Sequence, residues 1–374
     1  MKKIFFLFMA IIVAVAIFLF FNPNKLFEQV FKYGQDYEKV SAEDVRIYVP
    51  PHLTYNTEIA TEQLQETREF AETLFNQNFD SHSSLAIYVT EPGYRGHERL
   101  ANLTGAYLYE MGVILINGEE VQFASSTTVH EYTHFLFDHY LRKQDLTIEE
   151  IPDWLTEGIA EYVAFQVEQA LPQKHSLYYN HFPFPQLHEM TNGNVDTVYL
   201  QGFYAVYDLV ERFGVEVMPQ LMLAYKETND FAAAFEQVTK MDYVTYHDQF
   251  FINRNELAKL SNLKASPEEA ITFGEQLVKN RAAINPYTPF VLPDLVGASL
   301  ALGDTIKAKV YLNQLEPLLF NPYDYLHYAG AFWESGDREM AQYLIAQARD
   351  FADKYAYSSE ELEQEAKKIS EDLE

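Results

Sequence analysis

The spacing of apolar residues changes along the first third of the chain, and each spacing predicts a type of element. Short apolar runs at 45–49, 85–90, 106–109 and 113–117 are bounded by proline, glycine or polar residues, which is typical of strands. Residues 57–76 instead carry apolar side chains at roughly helical spacing. These elements, in the order β-α-β-β, predict a small mixed sheet at the start of an α+β fold.

A helical period dominates the next stretch of the chain. It predicts a series of helices, with Asp153 as the N-cap of the second and Gly214 ending the third. A polar loop at 145–152 and a proline-containing loop at 181–185 separate some of them. We therefore expect a largely helical lower half of the same domain, with helices at 123–141, 153–168, 196–213, 215–225 and 230–240.

The last hundred residues contain an internal repeat with an offset of 33 residues. Gly-Asp at the turn and small residues where helices cross resemble tetratricopeptide-type helical hairpins. About two units are visible, fewer than an independent solenoid usually needs. A plain helical bundle packed on the preceding domain is the alternative. The repeat pairs Gly297, Gly303-Asp304, Ala308 and Leu312 with Gly330, Gly336-Asp337, Ala341 and Ile345.

An apolar run at 4–21 follows Met1-Lys2-Lys3 and precedes Asn22-Pro23-Asn24. Its 18 residues are just long enough to span a bilayer. The lysines would stay on the cytoplasmic side, so that everything after the run lies outside. We expect an uncleaved anchor over 1–24 and a single-pass protein of the cell membrane. The alternative is secretion after cleavage of a signal peptide near Ala14-Val15-Ala16.

Composition narrows the class of function. The 374 residues suffice for two domains, which we place at 36–255 and 264–374. The formal net charge of −28 argues against nucleic acid, because a phosphate backbone needs a basic footprint. The chain contains no cysteine, which excludes disulfides, thiolate metal sites and a cysteine nucleophile.

The pentapeptide His130-Glu131-Tyr132-Thr133-His134 lies inside the first long helical run. On a helix, positions i and i+4 share a face, so both imidazoles point the same way with Glu131 beside them. This arrangement suits two zinc ligands and a carboxylate that can deprotonate a water held by the metal. The alternative is that the match arises by chance, a risk with every short motif.

The string Trp154-Leu155-Thr156-Glu157-Gly158 opens the next helix. Together with HEYTH it resembles the gluzincin metallopeptidases, which include thermolysin and the aminopeptidase-N-like enzymes. The latter carry WLNEG, whose Glu is the third zinc ligand. The resemblance implies a peptidase with Zn²⁺ bound by His130, His134 and Glu157 and with Glu131 as the general base. It also implies an edge strand beside the metal that pairs with the substrate backbone.

The resemblance implies roles for two further residues. Glu161 occupies the place of an acidic residue that in thermolysin lies four after the Glu ligand and accepts a hydrogen bond from a zinc-bound histidine. Tyr199 and Gly202 match a Tyr-x-x-Gly motif whose tyrosine stabilises the oxyanion. Surface charge and core packing are the alternatives for Glu161 and Tyr199. Tyr204, Tyr207, His181 or His188 are other candidates for the oxyanion role, and Trp154 is interpreted as packing.

One motif departs from the family pattern. Aminopeptidase-N-like enzymes carry GAMEN on the edge strand, and its Glu binds the free amine of the substrate. Tyr109 takes that place here, and the adjacent Glu110 would point to the other face of a strand. We therefore expect an endopeptidase acting on peptide or protein substrates. Alternatives are an aminopeptidase, or a catalytically vestigial scaffold whose C-terminal helices bind a protein partner.

Overall fold

A computed structural model of the protein describes most of the chain after residue 36. The predicted anchor at 1–24 and His181 lie outside the described residues. Within the described ranges, no helix combines the length and the apolarity needed to cross a bilayer. The described residues are 37–42, 45–53, 55–79, 85–90, 104–118, 124–168, 182–191, 195–247, 259–260, 263, 266–279, 288–316, 319, 322–355 and 359–371.

Five strands form one mixed sheet. They are β1 (Glu38–Ala42), β2 (Val45–Val49), β3 (Ala86–Val89), β4 (Gly105–Leu108) and β5 (Val113–Ile116), in the order β1-β2-β3-β5-β4. The inner pairs β2–β3 and β3–β5 are parallel, whereas β1 and β4 join antiparallel at the two edges. Helix α1 (Thr57–Phe75) connects β2 to β3. The predicted α+β fold with a small mixed sheet is confirmed.

Strands β3 and β5 are apolar throughout and β2 is apolar except at Arg46, which suits strands with both faces buried. Ile47, Ile87 and Ile114 are fully buried on one face. On the other face, Tyr48 stacks on Tyr88 with ring centroids 4.5 Å apart. Continuous apolar runs of this kind are typical of parallel strands. Strand β1 was not predicted, because its EKVSA sequence is mostly exposed and carries no apolar pattern.

The predicted helices of the middle region are present with small shifts in their ends. Asp153 is the first residue of its helix rather than an N-cap, and its carboxylate accepts a hydrogen bond from the N–H of Met190. The first predicted loop contains a short 3₁₀ helix at Ile148–Glu150, and a second 3₁₀ helix, Phe184–Leu187, begins in the other loop and continues past its predicted end. The helices are α2 (Ala124–Lys143), α3 (Asp153–Glu168), α4 (Val195–Phe213), α5 (Val217–Thr228) and α6 (Phe231–Thr239).

The described residues fall into two compact units. One comprises those within 1–68 and 78–138, and the other those within 69–77 and 139–374. The division falls inside α1 and inside α2, each of which is a continuous helix. The proposed domain limits at 24, 36, 255 and 264 stay a prediction.

Helices α3 and α4 cross at two glycines. A Cβ atom built on Gly158 would lie 2.4 Å from the main-chain carbon and oxygen of Gly202. A Cβ atom on Gly202 would lie 2.2 Å from the carbonyl oxygen of Trp154. Real Cβ atoms are not found so close to backbone, so the two helices can touch only because both positions lack a side chain. The glycines of WLTEG and YLQG therefore set the distance between α3 and α4.

The C-terminal helices form consecutive hairpins around their own core, which includes Ala308, Leu312, Ala329 and Ala341. The repeated Gly-Asp lies at two of the turns between helices, where Gly303 and Gly336 have φ angles of 71° and 86°. The helices are α7 (Pro267–Lys279), α8 (Thr288–Ala301), α9 (Thr305–Leu315), α10 (Pro322–Glu334), α11 (Arg338–Tyr355) and α12 (Ser359–Glu371).

The repeated aspartates have the same local function in both hairpins. The Asp304 side chain accepts a hydrogen bond from the N–H of Lys307, and that of Asp337 accepts one from Met340. The predicted role of the first small residue in the repeat is wrong. Gly297 is exposed, and a Cβ atom there would meet nothing within 4 Å, so none of the described helices crosses at this position.

Candidate metal centre

Helix α2 holds the two histidines of HEYTH on one buried face. His130, Glu131 and His134 are each 8% exposed. The Nε2 atoms of the two imidazoles face each other at 3.0 Å, with the rings nearly perpendicular. The i, i+4 spacing produces this convergence, because side chains four apart lie one above the other on a helix.

Glu157 of α3 completes a group of three candidate ligands. Ligand atoms of His130, His134 and Glu157 all lie within 4.8 Å of one another. Two histidines and a glutamate are a donor set of catalytic zinc sites. Tetrahedral coordination with zinc–nitrogen distances near 2.05 Å would place the two nitrogens about 3.3 Å apart, close to the separation of the Nε2 atoms. The three residues therefore fit a zinc ion, and the group could hold one.

The carboxylate of Glu131 is held by the edge strand. Its Oε2 atom accepts a hydrogen bond of 2.7 Å from the main-chain N–H of Tyr107 in β4. Gly105 of the same strand allows this approach, since a Cβ atom there would lie 2.3 Å from Cγ2 of Thr127 and 3.1 Å from Cγ of Glu131. Strand β4 and helix α2 thus touch at the carboxylate of Glu131.

A second contact joins Tyr107 to α2 two helical turns further along. The hydroxyl of Tyr107 donates to Oδ2 of Asp138 at 3.0 Å, and its ring meets Phe135 edge-to-face. Asp138 is buried. Sequence reasoning missed Tyr107 and Asp138 as parts of the site. The available signal was an aspartate directly after the apolar residues Phe135-Leu136-Phe137, because a carboxylate on a buried helix face needs a partner.

Aromatic packing and side-chain hydrogen bonds support α3 around Glu157. Trp154 is fully buried against Phe184 and Phe231, so its interpretation as packing is consistent with the structure. The side-chain amide of Gln201 in α4 donates to the carbonyl oxygen of Phe182 at 2.7 Å and accepts from its N–H. This pair of bonds fixes the segment that leads into the 3₁₀ helix at Phe184–Leu187.

The predicted supporting residues occupy different environments. Glu161 is half-buried one helical turn after Glu157 and does not belong to the converging group. Tyr199 is also half-buried. Tyr204 and Tyr207 are only 3% and 8% exposed. Burial raises the pKa of the Tyr207 hydroxyl, which packs in an aromatic cluster with Tyr162 and Phe165.

His188 is the described histidine among the alternative candidates for the oxyanion role. Its ring packs edge-on against Phe231 and Tyr243, and burial lowers its pKa. A ring packed within an aromatic cluster fits a packing role for His188. The oxyanion role of Tyr199 stays a prediction.

The stretch that replaces GAMEN ends in a turn. Strand β4 stops at Leu108, whose carbonyl oxygen accepts hydrogen bonds from the N–H groups of Met111 and Gly112. Gly112 has a φ angle of 61°, which closes the turn back into β5. The alternation of strand faces therefore does not apply to Tyr109 and Glu110, and the argument that this alternation keeps Glu110 from the substrate is wrong.

Comparison with known proteins supports one class of enzyme. The model of the collagenase family, peptidase M9, matches residues 116–251, a little over a third of the chain. Members of this family are zinc metallopeptidases. A Bacillus subtilis (strain 168) protein described as uncharacterized protein YhcO is 24% identical over 208 residues. That match covers 50% of this chain and 63% of the relative. The family match and the two histidines with Glu157 support a zinc metallopeptidase.

Proposed function

We propose that the protein is a zinc metallopeptidase that hydrolyses internal peptide bonds, with His130, His134 and Glu157 as metal ligands. The observation that carries the proposal is the convergence of these three ligand atoms within 4.8 Å. The matched collagenase model, which spans both ligand-bearing helices, supports the same class.

Glu131 is the general base of the proposed reaction. A zinc ion held by His130, His134 and Glu157 would supply Lewis-acid chemistry, which polarises a carbonyl group and lowers the pKa of water. Glu131 accepts one proton from the attacking water and passes it to the leaving amine, so one C–N bond breaks as one C–O bond forms. Burial excludes solvent around the carboxylate and strengthens its electrostatic interactions.

Tyr199 is the proposed donor to the oxyanion. A preorganised hydroxyl aimed at developing negative charge is worth about 2.7–4 kcal/mol in comparable sites. Tyr199 is half-buried on α4, whereas the hydroxyl-bearing alternatives on the same helix lie in the aromatic core.

Internal cleavage is proposed because β4 offers no carboxylate for the amine of a substrate. The described strand contains Gly105, Ala106, Tyr107 and Leu108, and Glu110 follows in an exposed turn. An N-terminally acetylated peptide tests this directly, because acetylation removes the charge that an aminopeptidase reads. Cleavage restricted to the unblocked peptide would contradict internal cleavage and favour Glu110 as an amine ligand.

We place the protein outside the cytoplasm, anchored in the cell membrane by its N-terminal apolar run. The support is the sequence of that run and its flanking lysines. Fractionation of cells expressing the full chain tests the placement. Recovery of the mature protein in the medium without residues 1–16 would favour a cleaved signal peptide instead.

A scaffold function is the second candidate. It is favoured by two apolar side chains one turn apart on α9, Ile306 and Val310, which are 79% and 52% exposed. Such positions are candidate contacts for a protein partner. A scaffold with a vestigial site would show no zinc-dependent hydrolysis in the experiment that follows.

The proposal is tested by comparing the wild-type protein with Glu131→Gln on an unstructured protein substrate. The wild-type protein should degrade it, and a chelator should abolish the activity. Glu131→Gln should lose about a hundred- to ten-thousandfold in turnover rate, because only the proton acceptor is removed, while its zinc content stays unchanged. Equal rates in the two proteins would show that Glu131 is not the base.

Tyr199→Phe should lower the turnover rate by about a hundredfold with little change in KM, because a lost oxyanion donor acts on the transition state. Tyr204→Phe is the matched control on the same helix. Metal content should be equal in both variants. A wild-type rate for Tyr199→Phe would remove it from the mechanism.

A further inference from the structure

Strand β4 is an edge strand of the sheet formed by the described residues, and the main-chain N–H of Tyr107 points away from β5. In an antiparallel pair, residues alternate between those that bond to the neighbouring strand and those that face away. The N–H of Asn117 donates to the carbonyl oxygen of Thr104, which makes these two residues a bonded pair. By alternation, Ala106 and Leu108 also bond to β5, and Tyr107 does not.

On this side of β4, the N–H of Tyr107 already has a partner within the protein. Its N–H donates to Oε2 of Glu131 at 2.7 Å. This bond is a charge-assisted hydrogen bond to the carboxylate, which is stronger than one between neutral groups. It restricts the rotation of a side chain that otherwise has three freely rotating bonds, and it orients both carboxylate oxygens.

The phenol of Tyr107 fixes the strand at a second point. Its hydroxyl donates to the buried carboxylate of Asp138, which lies seven residues after Glu131 on α2. Positions seven apart on a helix share a face. Strand β4 is therefore attached to α2 on both sides of the turn that carries His134, through the backbone and the side chain of a single residue.

We propose that Tyr107 is a positioning residue for the general base, in which the phenol–Asp138 bond holds the strand so that the N–H keeps the Glu131 carboxylate in its reactive orientation. The proposal rests on the function proposed above for Glu131. Tyr107 acts through Glu131, since its N–H donates to Glu131 and its hydroxyl to Asp138. Its loss should therefore change turnover and leave zinc binding as it is.

Amide hydrogen exchange resolved to single residues tests the proposal, in the full chain supplied with zinc. Glu131→Ala removes the acceptor and should speed exchange of the Tyr107 amide by at least about tenfold. Glu131→Gln keeps a carbonyl acceptor and should stay within about threefold of wild type. Tyr107→Phe keeps the N–H but loses the hydrogen bond to Asp138. The amide at position 107 should therefore exchange at an intermediate rate.

Two controls separate positioning from general loosening of the fold. The amides of Ala106 and Leu108 bond to β5 and should exchange at wild-type rates in every variant. Tyr55→Phe removes another tyrosine hydroxyl that bonds to α2, at Thr128, without involving β4. It should leave the Tyr107 amide protected. Acceleration of all three strand amides together, or no acceleration in Glu131→Ala, would overturn the proposal.

Kinetics give the second readout. Tyr107→Phe should lower kcat about tenfold with KM and zinc content within about twofold of wild type, because a displaced base affects the chemical step. An unchanged kcat in an enzyme that Glu131→Gln inactivates would also overturn the proposal. If the wild-type protein hydrolyses nothing, the proposed peptidase function fails, and the exchange experiment still decides whether Tyr107 holds Glu131.

Discussion

Glycine serves different purposes in the pair α3–α4 and in the C-terminal hairpins. At the crossing of α3 and α4, Gly158 and Gly202 are required because no side chain fits between the two backbones. In the hairpins, Gly303 and Gly336 have open space around them and are required for their left-handed backbone. Packing specifies the first pair and local conformation the second, so a substitution at each pair fails for a different physical reason.

The two pairs of glycines also differ in how clearly the sequence alone shows their role. The hairpin glycines recur at a fixed offset with aspartate after each, which makes their role visible as a repeat. The crossing glycines belong to short motifs that also contain candidate site residues, Glu157 and Tyr199. A reader of the sequence therefore assigns such motifs to chemistry, whereas the structure shows that their glycines bring the two helices together.

The largest expected difference is between two helical glycines, Gly158 and Gly297. Gly158→Ala should destabilise the protein by about 1–3 kcal/mol, because its Cβ would collide with backbone that cannot rotate away. Gly297→Ala is the matched control, since a Cβ there meets nothing and alanine is the better helix former. It should stabilise by up to about 1 kcal/mol. Denaturant unfolding of both variants measures the difference.

Gly158→Ala should also weaken zinc binding, because Glu157 is the neighbouring residue on the helix that must move. Equal unfolding free energies for Gly158→Ala and Gly297→Ala would contradict the close crossing of α3 and α4. Normal zinc affinity in a clearly destabilised Gly158→Ala variant would show that the crossing supports the fold without positioning Glu157.

A smaller effect is expected in the hairpins. Gly303→Ala and Gly336→Ala should each cost about 1–2 kcal/mol, the usual penalty for an L-residue in the left-handed region. The asparagine variants should cost less, because asparagine adopts this conformation more readily. Thermal unfolding compares the four variants. Unequal losses of stability at Gly303 and Gly336 would show that the two repeated turns are not energetically equivalent.

Prediction from the sequence succeeded where a period or a local motif determines structure. The helical spacing of His130 and His134 predicted their shared face, and the apolar runs predicted the buried strands. It failed where the determining contact is distant in the chain. The bond between Tyr107 and Glu131 spans 24 residues, and β1 forms because it pairs with β2 despite its polar sequence. Tertiary context supplies these features.

Zinc content of the purified full chain, measured beside Glu157→Ala, tests the central claim most directly. Three ligands predict one tightly bound zinc ion per wild-type chain and its loss from Glu157→Ala. Glu161→Ala should retain zinc about ten- to a hundredfold more weakly if it orients a ligand. Glu236→Ala, an exposed glutamate on α6, should behave as wild type. A wild-type protein that binds no zinc even when zinc is supplied, or a Glu157→Ala variant that binds it equally well, would contradict the claim.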